Sequence, residues 1–172
     1  MKLYIVPGFG QTTRSKGYKK IMDFAKSINI EVVPVPITWE KTVATDWLQQ
    51  LRNFFMHENN NVPPILLGFS FGAYLATLFA KEMQFKKLIL CSLSPYFRND
   101  IQHLPPLVHK ILGKRRMQDF KKYSFPKNNL TPATFFVGEK DMPFVIQRTR
   151  KSYKTWNGKK QFEIIQNAEH DI

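Results

Sequence analysis

At 172 residues, with 43% hydrophobic and 14% aromatic residues, the chain fits one compact domain at about 150 residues per domain, and a disordered tail is excluded. The single Cys91 excludes an internal disulfide; with no metal-type Cys spacing and no Cys-His cluster, a secreted disulfide scaffold and a structural zinc module are excluded too. Lys plus Arg outnumber Asp plus Glu by 26 to 13, a formal +13 that attracts anions and says nothing of fold.

The opening Met1–Pro7 has an apolar run far short of a signal peptide's core, and no stretch approaches about 20 apolar residues. The expectation is therefore a soluble, cytoplasmic protein without a transmembrane segment. From there, apolar runs of strand length alternate with longer amphipathic stretches. The runs predict strands at Lys2–Val6, Glu31–Pro36, Pro64–Gly68, Lys87–Cys91, Ala133–Val137 and Gln161–Ile165. The stretches between predict helices at Lys16–Ile28, Thr42–His57, Phe71–Met83 and Phe144–Trp156. In the second helix Val43, Trp47, Leu51, Phe54 and Phe55 make one apolar stripe, read as core. The class is α/β: a mostly parallel six-stranded sheet with helices on both faces, its strands buried on both sides.

Residues 95–130 break the alternation. They carry Pro95, Pro105, Pro106 and Pro126, and a basic run at Lys114-Arg115-Arg116 followed by Lys121-Lys122. They read as a cap inserted into one domain spanning 1–172, mobile over the site, with short helices near Leu107–Leu112 and Met117–Tyr123. The basic run reads as a solvated face.

Gly68-Phe69-Ser70-Phe71-Gly72 sits between the apolar run Ile65-Leu66-Leu67 and the helical pattern Ala73, Leu75, Ala76, Phe79. A serine at such a strand-to-helix corner adopts a strained backbone, and the residues two before and two after it must be small for strand and helix to approach. The corner exposes the Ser70 hydroxyl at the positive end of a helix and aims the Phe71 amide at a developing oxyanion. A tight turn capped by serine is the plainer reading of the pentapeptide. A serine hydroxyl needs a base, and the base an orienting acid. In a parallel sheet both belong at strand carboxyl ends. Asp141, after the strand ending in Val137, is the acid favoured, with a helix N-cap as its other role. Asp100, beyond the strand that precedes the insertion, is the competing acid. His170, following the last strand, is the base; His57, His103 and His109 follow no strand.

The order Ser70, Asp141, His170, each after a strand, resembles the α/β-hydrolase superfamily over nearly the whole chain, in a minimal six-stranded form similar to small intracellular serine hydrolases. The resemblance implies a second oxyanion amide from the turn Val6-Pro7-Gly8-Phe9-Gly10, at Phe9, although the His that often precedes the first Gly is Pro7 here. It implies an acyl-enzyme serine hydrolase acting on a small-molecule carboxylic ester or related acyl substrate, with thioester, amide and lactone open, and no metal or organic cofactor. The family usually adds a final helix after the histidine loop. This sequence ends at Ile172, so the expectation is a partly ordered His170. Phe9, Phe69, Phe71, Tyr96, Phe97 and Phe144 are candidates for an apolar acyl pocket. The alternative is a catalytically weak binding protein that uses the basic insertion for anionic partners; no nucleic-acid module is recognisable.

Overall fold

The computed structural model describes residues 1–58 and 61–172. Strands β1 (Lys2–Val6), β2 (Glu31–Pro34), β3 (Ile65–Phe69), β4 (Lys87–Cys91), β5 (Ala133–Gly138) and β6 (Lys160–Ile165) form one sheet in the order β2-β1-β3-β4-β5-β6, every neighbouring pair parallel. Parallel neighbours cannot be joined by tight turns, so helices carry the crossovers. These are α1 (Lys16–Ser27), α2 (Ala44–Met56), α3 (Phe71–Phe79) and α5 (Pro143–Thr155). The β4–β5 connection holds a 3-10 turn at Ile101–His103 and α4 (Pro106–Phe120). Proline opens α4 and α5, where a missing N–H costs nothing. Gly113, at φ 76° and ψ 159°, divides α4 into the two short helices the sequence suggests.

Strand β2 stops two residues short of its expected end. It is an edge strand, where Pro34 is tolerated, and Pro36 has no N–H to extend the ladder. Helix α3 ends at Phe79 instead of Met83, and the chain then turns so that Phe85 is buried ahead of β4.

Burial on both faces holds for β1, β3 and β5; along β4 the face of Lys87, Ile89 and Cys91 is only half-buried, and the edges are more open still. Strands β2 and β6 are half-buried to exposed along their length. Helix α1 covers one face with Tyr18 and Ala25 against Leu3, Ile5, Leu67 and Phe69. On the other face α2, α3, α4 and α5 bury the larger core around Trp47, Phe71, Tyr74, Leu88 and Phe135. The insertion belongs to that core. Phe97, Ile101, Leu104, Leu112, Met117 and Phe120 are all buried in it, and Phe120 stacks on Tyr96 at 4.9 Å between ring centroids.

The insertion is tied to α2 by polar bonds as well. The buried Asp119 carboxylate accepts hydrogen bonds from the Thr45 N–H and hydroxyl, both at 2.8 Å, and pairs with Lys122. Burial alone would push the Asp119 carboxyl up, but the bonds from Lys122 and Thr45 outweigh it and hold the group below its ordinary value. The basic run is not a wholly solvated face. Arg115 donates to the Lys41 carbonyl at 3.1 Å, and Arg116 to the carbonyls of Thr42 at 3.0 Å and Trp39 at 3.1 Å. Arginine's planar fork is suited to such paired acceptors, and nothing local in the sequence distinguishes this use from exposure to water.

Candidate active site

The register sets strand ends side by side: Val6 opposite Gly68, Phe69 opposite Cys91, Cys91 opposite Phe136, Gly138 opposite Ile165. The segments leaving β1, β3, β4, β5 and β6 therefore converge on one edge of the sheet.

Ser70 lies between β3 and α3 at φ 53° and ψ −110°, a conformation a serine holds only where its surroundings enforce it. The enforcement is close packing of backbone on backbone. A Cβ at Gly68 would stand 2.4 Å from the Gly72 carbonyl oxygen, and one at Gly72 would stand 2.1 Å from the Val6 oxygen and 2.6 Å from the Pro7 oxygen. Hydrogen on both glycines lets the start of α3 press against the end of β1. Phe71 is the first residue of α3, so its N–H has no carbonyl one turn back to pair with.

His170 and Asp141 meet Ser70 here. Asp141 Oδ1 is 2.8 Å from His170 Nδ1, and His170 Nε2 is 2.9 Å from Ser70 Oγ. A carboxylate only accepts, so Nδ1 carries the ring hydrogen and donates it; Nε2 of the neutral ring then accepts, and the Ser70 hydroxyl donates to it. Asp141 is fully enclosed, while the His170 side chain is 29% exposed. Asp141 Oδ1 also accepts from the Met142 N–H at 2.7 Å, one residue ahead of α5, so the carboxylate braces the helix start as well as the imidazole. Asp100 is engaged elsewhere, paired with Arg148 at 3.1 Å, both side chains largely buried.

The His170 loop, expected to be only partly ordered, is tied to the end of β5. The Glu139 N–H donates to the Ile165 carbonyl at 3.0 Å and the Lys140 N–H to the Ala168 carbonyl at 2.8 Å, while Glu139 Oε2 accepts from the Asn167 N–H at 2.9 Å. Gly138 permits the approach, since a Cβ there would lie 2.1 Å from the Glu169 oxygen. The Phe69 ring packs against the imidazole at 5.4 Å.

Phe9 sits in the loop after β1, and four groups brace that loop. The Gly8 N–H donates to the Tyr18 hydroxyl at 3.0 Å, and Tyr18 donates to Gln11 Oε1 at 2.7 Å. Burial pushes the Tyr18 hydroxyl up to about 12, so it stays protonated and does both. The Trp39 indole donates to the Gln11 carbonyl at 3.3 Å. Arg116 lies over the Phe9 ring at 5.0 Å, and that ring packs on Phe71 at 4.9 Å and Trp39 at 5.6 Å.

Phe9, Phe69, Phe71 and Tyr96, with Met142 and Val145, line a cavity of about 210 Å³ beside Ser70 and His170. The other two aromatic candidates lie apart from it. Phe97 is buried against Tyr74 and Phe125, and Phe144 lines a neighbouring cavity with Arg148.

Two polar residues that sequence reasoning passes over stand in the site. Both come just after β4. The Ser92 hydroxyl donates to the His170 carbonyl at 3.1 Å, and Ser94 Oγ lies 3.0 Å from Ser70 Oγ. The rule that marks Asp141 and His170, a polar residue just past a strand's carboxyl end, also marks Cys91-Ser92-Leu93-Ser94. Among the described residues no cluster of His, Cys, Asp and Glu could hold a metal ion, and no helix is long and apolar enough to cross a membrane.

No protein-family model matches the sequence, and no curated protein matches it in sequence. Solved structures do match. Est1E from Butyrivibrio proteoclasticus, solved with ferulic acid bound, superposes with a TM-score of 0.82 at 12% identity, over 99% of this chain and 81% of that one. Alpha/beta hydrolase domain-containing protein 10 from mouse gives a TM-score of 0.80 at 14% identity, over 98% and 81%. A monoacylglycerol lipase from Paleococcus ferrophilus gives 0.72 at 14% identity, over 98% and 85%. With its six-stranded all-parallel sheet and this near-complete overlap, the chain has the α/β-hydrolase fold.

Proposed function

We propose that the protein is a serine hydrolase that cleaves carboxylic esters or related acyl substrates through an acyl-enzyme. The observation that carries this reading is the hydrogen-bonded run from Asp141 through His170 to a Ser70 held at positive φ. Fold alone does not fix chemistry, whereas a nucleophile, a base and an orienting acid in contact in this order support one class of it. Structural neighbours that include an esterase and a monoacylglycerol lipase agree with an ester as substrate.

In the proposed reaction Ser70 Oγ attacks the acyl carbon as its proton passes to His170 Nε2. Asp141 fixes the ring with Nδ1–H toward Oδ1 and stabilises the imidazolium. The amides of Phe71 and Phe9 receive the oxyanion, and backbone donors already in place cost no reorganisation as charge develops. The imidazolium then protonates the leaving alcohol. Water, deprotonated by His170, attacks the acyl-enzyme; the C–O bond to Ser70 breaks and Oγ takes back a proton. A cavity of about 210 Å³ suits small acyl groups. Steady-state hydrolysis of p-nitrophenyl esters of increasing chain length tests the reading. Turnover is expected to be highest for short chains and lost in Ser70→Ala by up to about a million-fold. Ser70→Ala retaining most of the turnover rejects it.

A further inference from the structure

We infer that Ser94 is a second catalytic hydroxyl, one that assists the departure of Ser70 when the acyl-enzyme breaks down; the inference rests on the acyl-enzyme reading above. Ser94 is 2% exposed, lines the same cavity as Ser70 and His170, and its Oγ lies 3.0 Å from Ser70 Oγ. The direction of this bond is set by the hydrogens at hand. Ser70 has one, and it is committed to His170 Nε2 at 2.9 Å. The contact between the two hydroxyls is therefore a bond donated by Ser94 to Ser70, and it leaves Ser70 one lone pair for attack.

The placement of Ser94 is built in. Ser92 turns the chain after β4 at φ 48° while its hydroxyl holds the His170 carbonyl. Leu93 is fully buried, and Pro95 restricts the backbone of the residue before it. One four-residue segment thus holds the base by its backbone and the nucleophile by its side chain.

Such a donor acts unequally on the two halves of the reaction. During acylation it bonds a neutral hydroxyl oxygen in the free enzyme, and it draws density from the atom that must attack. Little is gained. In the acyl-enzyme Oγ is an ester oxygen, a poor acceptor. When water has added and the tetrahedral intermediate collapses, the electron pair of the breaking C–O bond goes to Oγ. Oγ is then most negative, until the His170 imidazolium returns the proton. A buried donor 3.0 Å away stabilises that oxygen as its charge appears, which is where a hydrogen bond accelerates a step.

The test is stopped-flow hydrolysis of p-nitrophenyl acetate by the wild type, Ser94→Ala and Ser94→Thr, with phosphonylation of Ser70 by a fluorophosphonate measured in parallel. Ser94→Ala is expected to be phosphonylated and acylated at rates within about twofold of wild type, and to deacylate roughly tenfold more slowly, the scale of one hydrogen bond to a developing charge. Its acyl-enzyme then accumulates as a burst approaching one nitrophenolate per chain. Ser94→Thr, which keeps the hydroxyl, is expected to deacylate faster than Ser94→Ala. Equal loss in acylation and deacylation, unchanged deacylation, or a Thr variant no faster than Ala overturns the inference. Failure of the wild type to be phosphonylated at all overturns the acyl-enzyme reading instead.

Discussion

Arg116→Met removes a guanidinium that the cap lends to the loop carrying Phe9, and keeps most of the side chain's apolar length. The guanidinium makes two bonds, to the Thr42 and Trp39 carbonyls at 3.0 and 3.1 Å, and sits 5.0 Å over the Phe9 ring. Hydrogen bonds from a charged donor are worth about 1.5–3 kcal/mol each when enclosed. Arg116 is half-buried, so about half of that is retained, and the ring contact adds about 0.5–1 kcal/mol. The loss of folding stability is about 2–4 kcal/mol. Turnover by the folded fraction should fall as well, because the Phe9 ring packs on Phe71 and a looser ring lets the two amides drift apart. Urea unfolding gives the first quantity, and p-nitrophenyl acetate turnover corrected for folded fraction gives the second. Lys114→Met, on the exposed surface of the same helix, is the control and should stay within about 0.5 kcal/mol of wild type. Equal stability and turnover for the two variants would mean that Arg116 braces nothing and would return the basic run to a solvated face.

Asp141→Asn should lower turnover on the order of 10⁴-fold, since an amide no longer favours the working tautomer, while Asp100→Asn should leave turnover per folded molecule near wild type and cost about 3–5 kcal/mol of stability by stranding buried Arg148. The reverse ranking, measured by ester turnover and urea unfolding, would move the acid into the insertion. Gly72→Ala should destabilise by at least about 2 kcal/mol, because its Cβ meets the Val6 carbonyl, whereas Gly17→Ala, with open space in α1, should stabilise by up to about 1 kcal/mol; thermal unfolding checks both. Asp119 has a folded-state value below its unfolded one, so its contribution is present above about pH 4 and lost as pH falls through the folded value. The stability gap between wild type and Asp119→Asn should close on acidification through that window, and a gap that stays constant across it would contradict the assignment.

The parts of the site legible in the sequence are those fixed by neighbours along the chain. Strand β3, the Gly68-to-Gly72 corner and α3 are one contiguous signal, and the parallel sheet turns "just after a strand" into "on the same edge" for Asp141 and His170. Arg116 escapes such reading because its partners lie 74 or more residues away, and Ser94, which follows β4 as Asp141 follows β5, escapes because a serine after a strand is an ordinary turn residue until its hydroxyl is seen against Ser70. A basic run reads alike whether its arginines face water or carbonyls of a distant loop. The aromatic candidates divide for the same reason: Tyr96 and Phe97 are adjacent, and only tertiary packing decides that Tyr96 lines the cavity while Phe97 is buried against Tyr74 and Phe125. The exposure of the edge strands is hidden as well, because runs such as Phe162-Glu163-Ile164-Ile165 look alike at the centre and the rim of a sheet.

Every proposal above depends on Ser70 being an activated nucleophile, which mass spectrometry of the folded protein after reaction with a fluorophosphonate reads directly. One adduct per chain is expected, mapped to Ser70 by peptide sequencing, absent in Ser70→Ala and slowed severely in His170→Ala. A folded protein that takes up no label, or one whose label persists in Ser70→Ala, would contradict it.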